Sequence, residues 1–353
     1  MDYKFEIIEV LSREVSVFSS SINEAEKQIR KDYWNEKIIL DYNDFLSVNI
    51  KPIEEFNFNP KYLPLVSYYK SPDRHFTLLH GDSLKVLRQF DFKFDMIFAD
   101  PPYFLSNGGI SVQSGKVVCV NKGEWDKGGS PEYINQFNKE WLALCREKLK
   151  DNGTIWISGT YHNIFSVANQ LTELGYKILN VITWAKTNPP PNISCRYFTF
   201  STEFIIWARK MQKVPHYYNY ELMKRINGNK QMNDVWHLPA IGRWEKSCGK
   251  HPTQKPLSVL TRIILASTQN GAWILDPFAG SCTTGIAANL LGRRFLGIDK
   301  EECYLQMGKA RKQELEDLSV LMNYRKKLKD LEQVDDEAIR FGENDVESWD
   351  FGF

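Results

Sequence analysis

The stretch Phe94-Asp95-Met96-Ile97-Phe98-Ala99-Asp100-Pro101-Pro102-Tyr103 decides the fold prediction. Its first six residues form an apolar run of the length of a buried strand, and the two prolines must end that strand. Asp100 is therefore expected at the carboxyl end of a buried strand. In open sheets with parallel strands, ligands bind beyond that end, so the position favours chemistry.

Short apolar strands alternate with helices along the chain from Phe76 onward. Strands are predicted at 76–80, 94–99, 153–158, 178–184, 204–207, 272–275 and 294–298, and helices at 83–90, 131–149, 164–174, 256–268, 283–291 and 301–316. This alternation predicts an α/β fold with a doubly wound, mostly parallel sheet. The preceding residues contain no chemical motif and are expected to be partly helical near 21–33.

Charge is distributed unevenly, although the whole chain has a formal net charge of only +1. The segment 186–255 carries 12 Lys or Arg and 4 Asp or Glu, a net of +8, whereas 330–353 carries 9 acids and one arginine, a net of −8. A basic segment suits a polyanion such as DNA, because bound phosphates release their counterions. An ordinary solvated surface is the alternative, and the acidic segment is expected to be a solvating tail.

These patterns predict three parts of the chain. Residues 1–72 form an N-terminal extension, and 73–316 form the catalytic domain. Within that domain, 187–250 is predicted to be an inserted target-recognition region. Residues 317–353 are expected to form a C-terminal helix and an acidic tail.

Several classes of protein are disfavoured by composition. The six cysteines form no C-x-x-C pair, and no histidines lie at metal-ligand spacing, so no metal site is predicted. The first thirty residues carry charges at positions 2, 4, 6, 9, 13 and 14 and contain no signal-peptide core, and no uncharged apolar run approaches 18 residues. We therefore expect a cytoplasmic protein that does not enter a membrane.

The loop Asp276-Pro277-Phe278-Ala279-Gly280-Ser281-Cys282-Thr283-Thr284 lies between a predicted strand and a predicted helix. Its small residues allow a ligand close to the backbone, and the hydroxyls of Ser281, Thr283 and Thr284 could bind a carboxylate near the helix N-terminus. Asp299 ends the next strand, where an acid commonly holds ribose hydroxyls. The loop is not G-x-G-x-x-G, which disfavours a dinucleotide; a plain tight turn is the alternative.

The prolines after Asp100 make it and the Pro101 carbonyl rigid acceptors. The exocyclic amine of a base is a poor nucleophile because its lone pair is delocalised into the ring. Two acceptors at hydrogen-bonding distance localise that lone pair and stabilise the charge that develops during methyl transfer. Tyr103 could stack on a base that has left the duplex. The alternative is a turn whose aspartate caps a helix.

The two loops together resemble the DNA amino-methyltransferases, with the catalytic loop first and the cofactor loop last, as in the β class. The resemblance extends over about 76–312 and includes His251-Pro252-Thr253-Gln254-Lys255-Pro256. On the stretches 104–109 and 216–220, the sequence is similar to the accessory adenine methyltransferases of restriction systems that recognise GATC. The resemblance implies a Rossmann-like fold and S-adenosylmethionine as the cofactor.

The resemblance also implies roles for individual residues. Asp100, Pro101, Pro102 and Tyr103 would be catalytic. The implied cofactor-binding residues are Asp82, Asp100, Phe278, Gly280, Ser281, Thr283, Thr284, Asp299, His251, Thr253 and Lys255. Asp82 could instead be only a helix N-cap. Cys282 replaces a glycine that is usual in the family, and its Cβ is expected to crowd the cofactor or weaken its binding.

DNA contacts are predicted at Trp184, Lys186, Asn188, Arg196 and Tyr197. For Trp184 the alternative is a place in the core, and for Arg196 and Tyr197 an ordinary surface. The partner is expected to be double-stranded or single-stranded DNA, and a homodimer is a further expectation.

Three alternatives to adenine-N6 methylation remain open from the sequence. The first is methylation of cytosine N4, although relatives that act there more often have Ser-Pro-Pro-Tyr. The second is methylation of RNA or protein glutamine, a chemistry of related Asn-Pro-Pro-Tyr enzymes. The third is a DNA-binding protein that lost catalysis through Cys282.

Overall fold

The computed structural model describes residues 5–11, 15, 17–18, 21–34, 37, 45–52, 67–104, 110–113, 116–119, 130–189, 191–192, 195–249 and 251–341. The chain divides into two compact units, residues 1–59 and 60–353. In the smaller unit, β1 (Phe5–Leu11) pairs antiparallel with β2 (Phe45–Pro52), and α1 (Ile22–Trp34) lies between them in sequence. The helix expected near 21–33 is therefore present, whereas the two strands were not predicted.

A nine-stranded sheet forms the centre of the larger unit. Its strands are β3 (Ser67–Lys70), β4 (Phe76–His80), β5 (Phe94–Ala99), β8 (Leu149–Gly159), β9 (Lys177–Lys186), β10 (Thr202–Arg209), β11 (Val235–Leu238), β12 (Trp273–Asp276) and β13 (Arg294–Asp299). They lie in the order β11-β9-β10-β8-β5-β12-β13-β4-β3. Neighbouring strands from β8 to β4 are parallel, and β10 and β3 are antiparallel to their partners. The predicted mostly parallel α/β sheet is confirmed.

Helices cover both faces of this sheet, as a doubly wound fold requires. The helices are α2 (Ser83–Leu87), α3 (Pro131–Lys148), α4 (Ile164–Glu173), α5 (Tyr220–Ile226), α6 (Leu257–Ser267), α7 (Thr283–Leu290), α8 (Glu302–Glu314) and α9 (Leu318–Lys327). Alternate residues of β5 point to opposite faces. Met96 and Phe98 pack with α6 and α7, whereas Ile97 and Ala99 pack with α3 and α4. A separate hairpin consists of β6 (Ile110–Gln113) and β7 (Lys116–Cys119).

The structure corrects the predicted boundaries of the parts. Strand β3 was assigned to the extension 1–72, but it pairs with β4 in the large sheet, so the larger unit begins before residue 73. The region 187–250 contributes β10 and β11 to the same sheet and is therefore not wholly an insertion. The stretch from 330 was expected to be a solvating tail, but Leu331 and Ile339 are buried in the core. The remainder of that tail, 342–353, lies outside the described residues.

Two features are absent from the described residues. None of the described helices is both long enough and apolar enough to cross a bilayer. No three His, Cys, Asp or Glu side chains in the described ranges lie close enough together to hold a metal ion.

Candidate active site

The two loops singled out in the sequence lie at the same edge of the sheet. Strands β5 and β12 are adjacent and parallel, and β12 is in turn parallel to β13, so all three carboxyl ends lie at that edge. Residues 100–104, 276–281, 283–284 and 299–301 end or follow these strands, and they line one cavity of about 580 Å³. The two loops therefore face each other across one crevice.

Asp100 is held by three donors from different parts of the chain. Its Oδ1 accepts hydrogen bonds from the Tyr103 hydroxyl at 2.5 Å and from the Ser158 hydroxyl at the end of β8. Its Oδ2 accepts a hydrogen bond from Lys255 Nζ at 2.6 Å. Burial and the negative charge of Asp100 raise the pKa of Tyr103 well above its usual value, so the tyrosine remains a donor. The carboxylate therefore has a fixed orientation at the cavity wall.

Lys255 is buried and belongs to a chain of alternating charges whose other members, Glu203 and Lys186, are partly buried. Its Nζ lies 3.8 Å from Glu203 Oε2, and Glu203 Oε1 accepts a hydrogen bond of 2.6 Å from Lys186. Burial alone would lower the pKa of Lys255, but Asp100, Tyr103 and Glu203 raise it well above its usual value. Lys255 therefore stays cationic, and Asp100 has a permanent counter-ion.

The backbone of the catalytic loop is fixed as well. Asn163 Nδ2 donates a hydrogen bond of 3.1 Å to the carbonyl of Pro102, and Asn138 Nδ2 in turn donates to Asn163 Oδ1 at 2.7 Å. Among the described residues, the Pro101 carbonyl receives no hydrogen bond. It is therefore available to an incoming donor, in agreement with the acceptor role predicted from the sequence.

The second loop is braced by buried Asp276 at the end of β12. Its Oδ2 accepts a hydrogen bond of 2.6 Å from the Thr284 hydroxyl, and its Oδ1 accepts one of 3.0 Å from the Phe278 N–H. Burial raises the pKa of Asp276 to about 7, and the nearby acids Asp100 and Asp299 act in the same direction. Because the Thr284 hydrogen is used here, Thr284 stabilises the loop rather than donating to a ligand.

Asp299, at the end of β13, fixes the glycine of this loop. Its Oδ2 accepts a hydrogen bond of 2.7 Å from the N–H of Gly280, which has a φ of +47°. A Cβ added at Gly280 would lie 3.1 Å from His251 Nε2, so a glycine is favoured by both its backbone and its neighbour. Burial lowers the pKa of His251 to about 4. The imidazole is therefore neutral, and its Nδ1 accepts the Thr253 N–H at 3.3 Å.

Asp82 caps a helix and also lines the cavity. Its Oδ1 accepts hydrogen bonds from the N–H groups of Leu84 and Lys85, so it caps α2. It also lines the cavity next to Ser83, whose hydroxyl donates to the Pro277 carbonyl. The cap therefore fixes a carboxylate at the cavity rim.

An aromatic wall completes the cavity and was not predicted from the sequence, apart from Phe278. The rings of Phe137 and Phe278 have centroids 6.3 Å apart, and Trp141 lies edge-on to Phe278 at 5.5 Å. Phe104 contacts Phe137 at 5.7 Å and Tyr133 at 6.2 Å. Helix α3 carries three of these residues, and its apolar spacing indicated only a core helix. Phe104, Tyr133, Phe137 and Phe278 line the cavity, whereas Trp141 is buried behind them. An aromatic, apolar wall of this kind suits the ring of a nucleoside.

Sequence comparison identifies two families along the chain. Residues 94–310 match the family described as DNA methylase, and residues 3–48 match the family described as DpnD/PcfM-like protein. The chain belongs to the DNA methylase family. It is 57% identical over 249 residues to the type II methyltransferase M2.MboI of Moraxella bovis, covering 70% of this chain and 91% of that protein. It is 59% identical over 236 residues to M2.DpnII of Streptococcus pneumoniae, covering 66% and 88%.

Solved structures agree with this assignment. The methylase resembles the crystal structure of the M1.HpyAVI–SAM complex with a TM-score of 0.51 and 30% identity, over 67% of this chain and 98% of that one. It resembles the cytosine-N4-specific PvuII DNA methyltransferase with a TM-score of 0.54 and 18% identity, over 69% and 89%, which shows the fold alone. The predicted S-adenosylmethionine-dependent DNA methyltransferase is confirmed.

The charge of the methylase's cavity fits this cofactor. S-adenosylmethionine carries a sulfonium, an ammonium and one carboxylate, so it is a cation overall. Two lysines, Lys255 and Lys300, line the cavity, and Lys255 is already paired with Asp100. The acids that line it are Asp82, Asp100, Asp276, Asp299 and Glu301. This excess of acids favours a cationic ligand, with Asp299 and Asp82 placed to accept from hydroxyl or amino groups.

Cys282 of the methylase lies behind the cofactor loop and not at the cavity surface. Cys282 has a φ of +58°, a left-handed conformation that favours glycine and costs another residue on the order of 1 kcal/mol. Its side chain is fully buried and does not line the cavity. The thiol packs on α8 instead, where a Cβ at Gly308 would lie 2.2 Å from the sulfur. The side chain is therefore directed toward Gly308 and away from the cavity.

Three of the residues predicted to contact DNA have structural partners. Trp184 is 3% exposed, and its indole N–H donates to the Leu238 carbonyl at 2.9 Å, so the core alternative holds for it. Lys186 forms the buried contact with Glu203 described above. Asn188 Oδ1 accepts the N–H of Ala240 at 2.9 Å and fixes the loop after β11.

Arg196 and Tyr197 lie in an exposed stretch that begins at Cys195. Tyr197 is 59% exposed, and its ring lies 5.5 Å from that of Phe200. Phe200 is stacked on Tyr161 at 5.2 Å. Because Tyr161 follows β8 by two residues, this aromatic group lies at the same sheet edge as Asp100. The predicted DNA contacts of Arg196 and Tyr197 are compatible with this placement.

Proposed function

We propose that this chain transfers the methyl group of S-adenosylmethionine to N6 of adenine in DNA, on a base that has left the duplex. The observation that carries the proposal is the fixed carboxylate of Asp100 at the wall of an acid-lined cavity, beside the unused Pro101 carbonyl. An amino group on a planar ring offers two hydrogens, and this pair of acceptors matches them.

The chemistry follows from the orientation of these groups. S-adenosylmethionine supplies a methyl group bonded to a positively charged sulfur. Asp100 and the Pro101 carbonyl accept hydrogen bonds from the two N–H groups of the amine. These hydrogen bonds turn the nitrogen lone pair out of conjugation with the ring and toward that methyl group. The N–CH3 bond would form as the S–CH3 bond breaks, which leaves the sulfur as the neutral thioether of S-adenosylhomocysteine. The nitrogen would then pass one proton to Asp100 and from there to solvent. Lys255, Ser158 and Tyr103 hold the carboxylate in place throughout, so little reorganisation is needed.

The identity of the base is tested by product analysis. DNA methylated by the purified protein is digested to nucleosides and separated by mass spectrometry against authentic standards. We expect N6-methyldeoxyadenosine among the nucleosides. Finding N4-methylcytosine instead would contradict the adenine assignment while leaving the methyltransferase assignment in place.

We further propose that the target sequence is GATC and that the protein acts within a restriction-modification system. The support is the identity of 57% and 59% to two type II methyltransferases, M2.MboI and M2.DpnII, together with the resemblance noted from the sequence. Methylome sequencing of a host that expresses the protein should show modified adenine in GATC and in no other context. Modification at a different sequence would refute this part of the proposal.

The remaining predictions concern the form of the substrate and of the protein. The exposed aromatic group around Tyr197 supports the acceptance of single-stranded DNA, since every base has a face that can stack. Equal turnover on matched single-stranded and double-stranded oligonucleotides would support it, and activity confined to duplexes would oppose it.

On α9, Leu318 is 75% exposed, which is compatible with a homodimer in the cytoplasm. Analytical ultracentrifugation should then give twice the monomer mass.

A further inference from the structure

A buried arginine lies beneath the cofactor loop without an acidic partner. Arg311 is on α8 and is 3% exposed. None of the ion pairs found among the described residues includes it, and its Nη2 has no hydrogen-bond partner there. Glu245 forms no ion pair with the Arg311 guanidinium and attracts it only at longer range. The two carboxylate oxygens of Glu245 instead accept the N–H groups of Gly242 and Leu257. A cation without a counter-ion in the interior is costly, so a ligand anion nearby would be stabilised.

The contacts of Arg311 explain how its charge reaches the cavity. Its Nη1 donates hydrogen bonds to the Ser281 carbonyl at 2.6 Å, to Thr283 Oγ1 at 2.9 Å and to Ser281 Oγ at 3.4 Å. A guanidinium has only donors, so both hydroxyl oxygens must accept from it. The two hydroxyls lie 3.3 Å apart, and that contact uses at most one of their hydrogens. At least one O–H therefore remains to donate to an anion.

Both hydroxyls are at the right place for such an anion. Ser281 and Thr283 line the cavity, and Thr283 is the first residue of α7, whose N-terminus favours negative charge. The other buried cation of the cavity, Lys255, is engaged by Asp100. We propose that Arg311 is a positioning residue for the carboxylate of S-adenosylmethionine, orienting the Ser281 and Thr283 hydroxyls and providing the charge that balances the carboxylate.

The test compares S-adenosylmethionine with its decarboxylated form, which lacks only this carboxylate. Both are titrated calorimetrically into the full-length protein and into the variants Arg311→Met and Arg311→Lys, without DNA. The wild-type protein should prefer S-adenosylmethionine by at least about tenfold, the range of a charge-assisted hydrogen bond. Arg311→Met should lose most of this preference by weakening only the carboxylated form. Arg311→Lys should keep part of it, because a lysine retains the charge but not the planar fork.

A matched control is the neighbouring buried cation on the same helix. Lys312 Nζ pairs with Asp73 Oδ2 at 2.7 Å, away from the cofactor loop. Lys312→Met should lower the melting temperature without changing the preference between the two ligands. A variant of Arg311 that weakened both ligands equally would have only a structural effect, and that result would overturn the proposal.

Two further outcomes would also decide against it. If the wild-type protein bound both ligands equally well, the carboxylate would not be recognised at all. If Arg311→Met did not fold, the test would rest on Arg311→Lys. An undiminished preference of Arg311→Lys for S-adenosylmethionine over its decarboxylated form would exclude a role of the planar guanidinium. The experiment contains no DNA, so its failure would leave the proposal of adenine methylation standing.

Discussion

The cavity and the basic segment 186–255 carry opposite charges within one unit of the chain. The cavity is lined by five acids and two lysines, whereas the segment has a net charge of +8. Each sign suits a different ligand, because the cofactor is a cation and DNA is a polyanion. The whole-chain net charge of +1 conceals both regions. Charge is therefore informative about function here only when it is assigned to a region, and each region can be tested separately.

The largest effect should follow from the loss of the cavity's catalytic acid. Asp100→Ala removes an acceptor for the target amine and should lower methyl transfer by at least about 1,000-fold. DNA binding should persist, since Asp100 is not part of the basic segment. Transfer of tritiated methyl groups and a gel-shift assay measure the two properties. Asp151→Ala, at an exposed pair with Lys210, is the control and should retain wild-type turnover. Substantial turnover by Asp100→Ala would contradict the mechanism.

The pH dependence of cofactor binding tests the electrostatics of the same cavity. In the free protein, burial raises the pKa of Asp276 to about 7, so the carboxyl is partly protonated at neutral pH. A bound cation favours the ionised form and lowers this pKa. Affinity for S-adenosylmethionine should therefore rise as pH increases from about 6 to 8, with proton release on binding. Calorimetry in buffers of different ionisation enthalpy measures this release, which Asp276→Asn should abolish.

The basic segment can be tested through its response to salt. Arg196→Ala should weaken DNA binding and reduce the slope of log affinity against log salt by about 1, the value for one lost phosphate contact. Cofactor affinity should not change. Arg225→Ala removes an exposed arginine of the same segment that faces Asp335 and serves as the control. If both variants gave the same slope, the contact with phosphate would not be specific to Arg196.

The catalytic loop could be predicted because its information is local. Two prolines end an apolar run, and that alone fixes the carboxyl end of a buried strand. The groups that hold Asp100 could not be found in this way. Lys255 is 155 residues away and Ser158 is 58 residues away, and Glu203 carried no motif. Only the topology of the sheet brings them together.

The basic segment shows the opposite limit of sequence analysis. Its elements β11 and α5 have four and seven residues, which is too short for their periodicity to stand out. The acidic segment misled in another way, because its charge obscured a few buried apolar residues. Asp330 forms a two-point ion pair with Arg262, and Leu331 packs into the core beside it. Net charge does not reveal such pairs, since it does not show which charges meet.

The smallest effect on DNA binding is expected at Trp184, which lies just before the basic segment and in the core. Trp184→Phe removes the hydrogen bond to the Leu238 carbonyl and some packing, which should cost about 1 to 2 kcal/mol of unfolding free energy. DNA affinity and its salt dependence should stay unchanged, because the side chain is buried and does not face a ligand. Urea denaturation and fluorescence anisotropy measure the two quantities. Tyr197→Ala is the matched variant: it should weaken DNA binding at little cost in stability, since Tyr197 is exposed. If Trp184→Phe weakened DNA binding and Tyr197→Ala did not, Trp184 would contact DNA and Tyr197 would not.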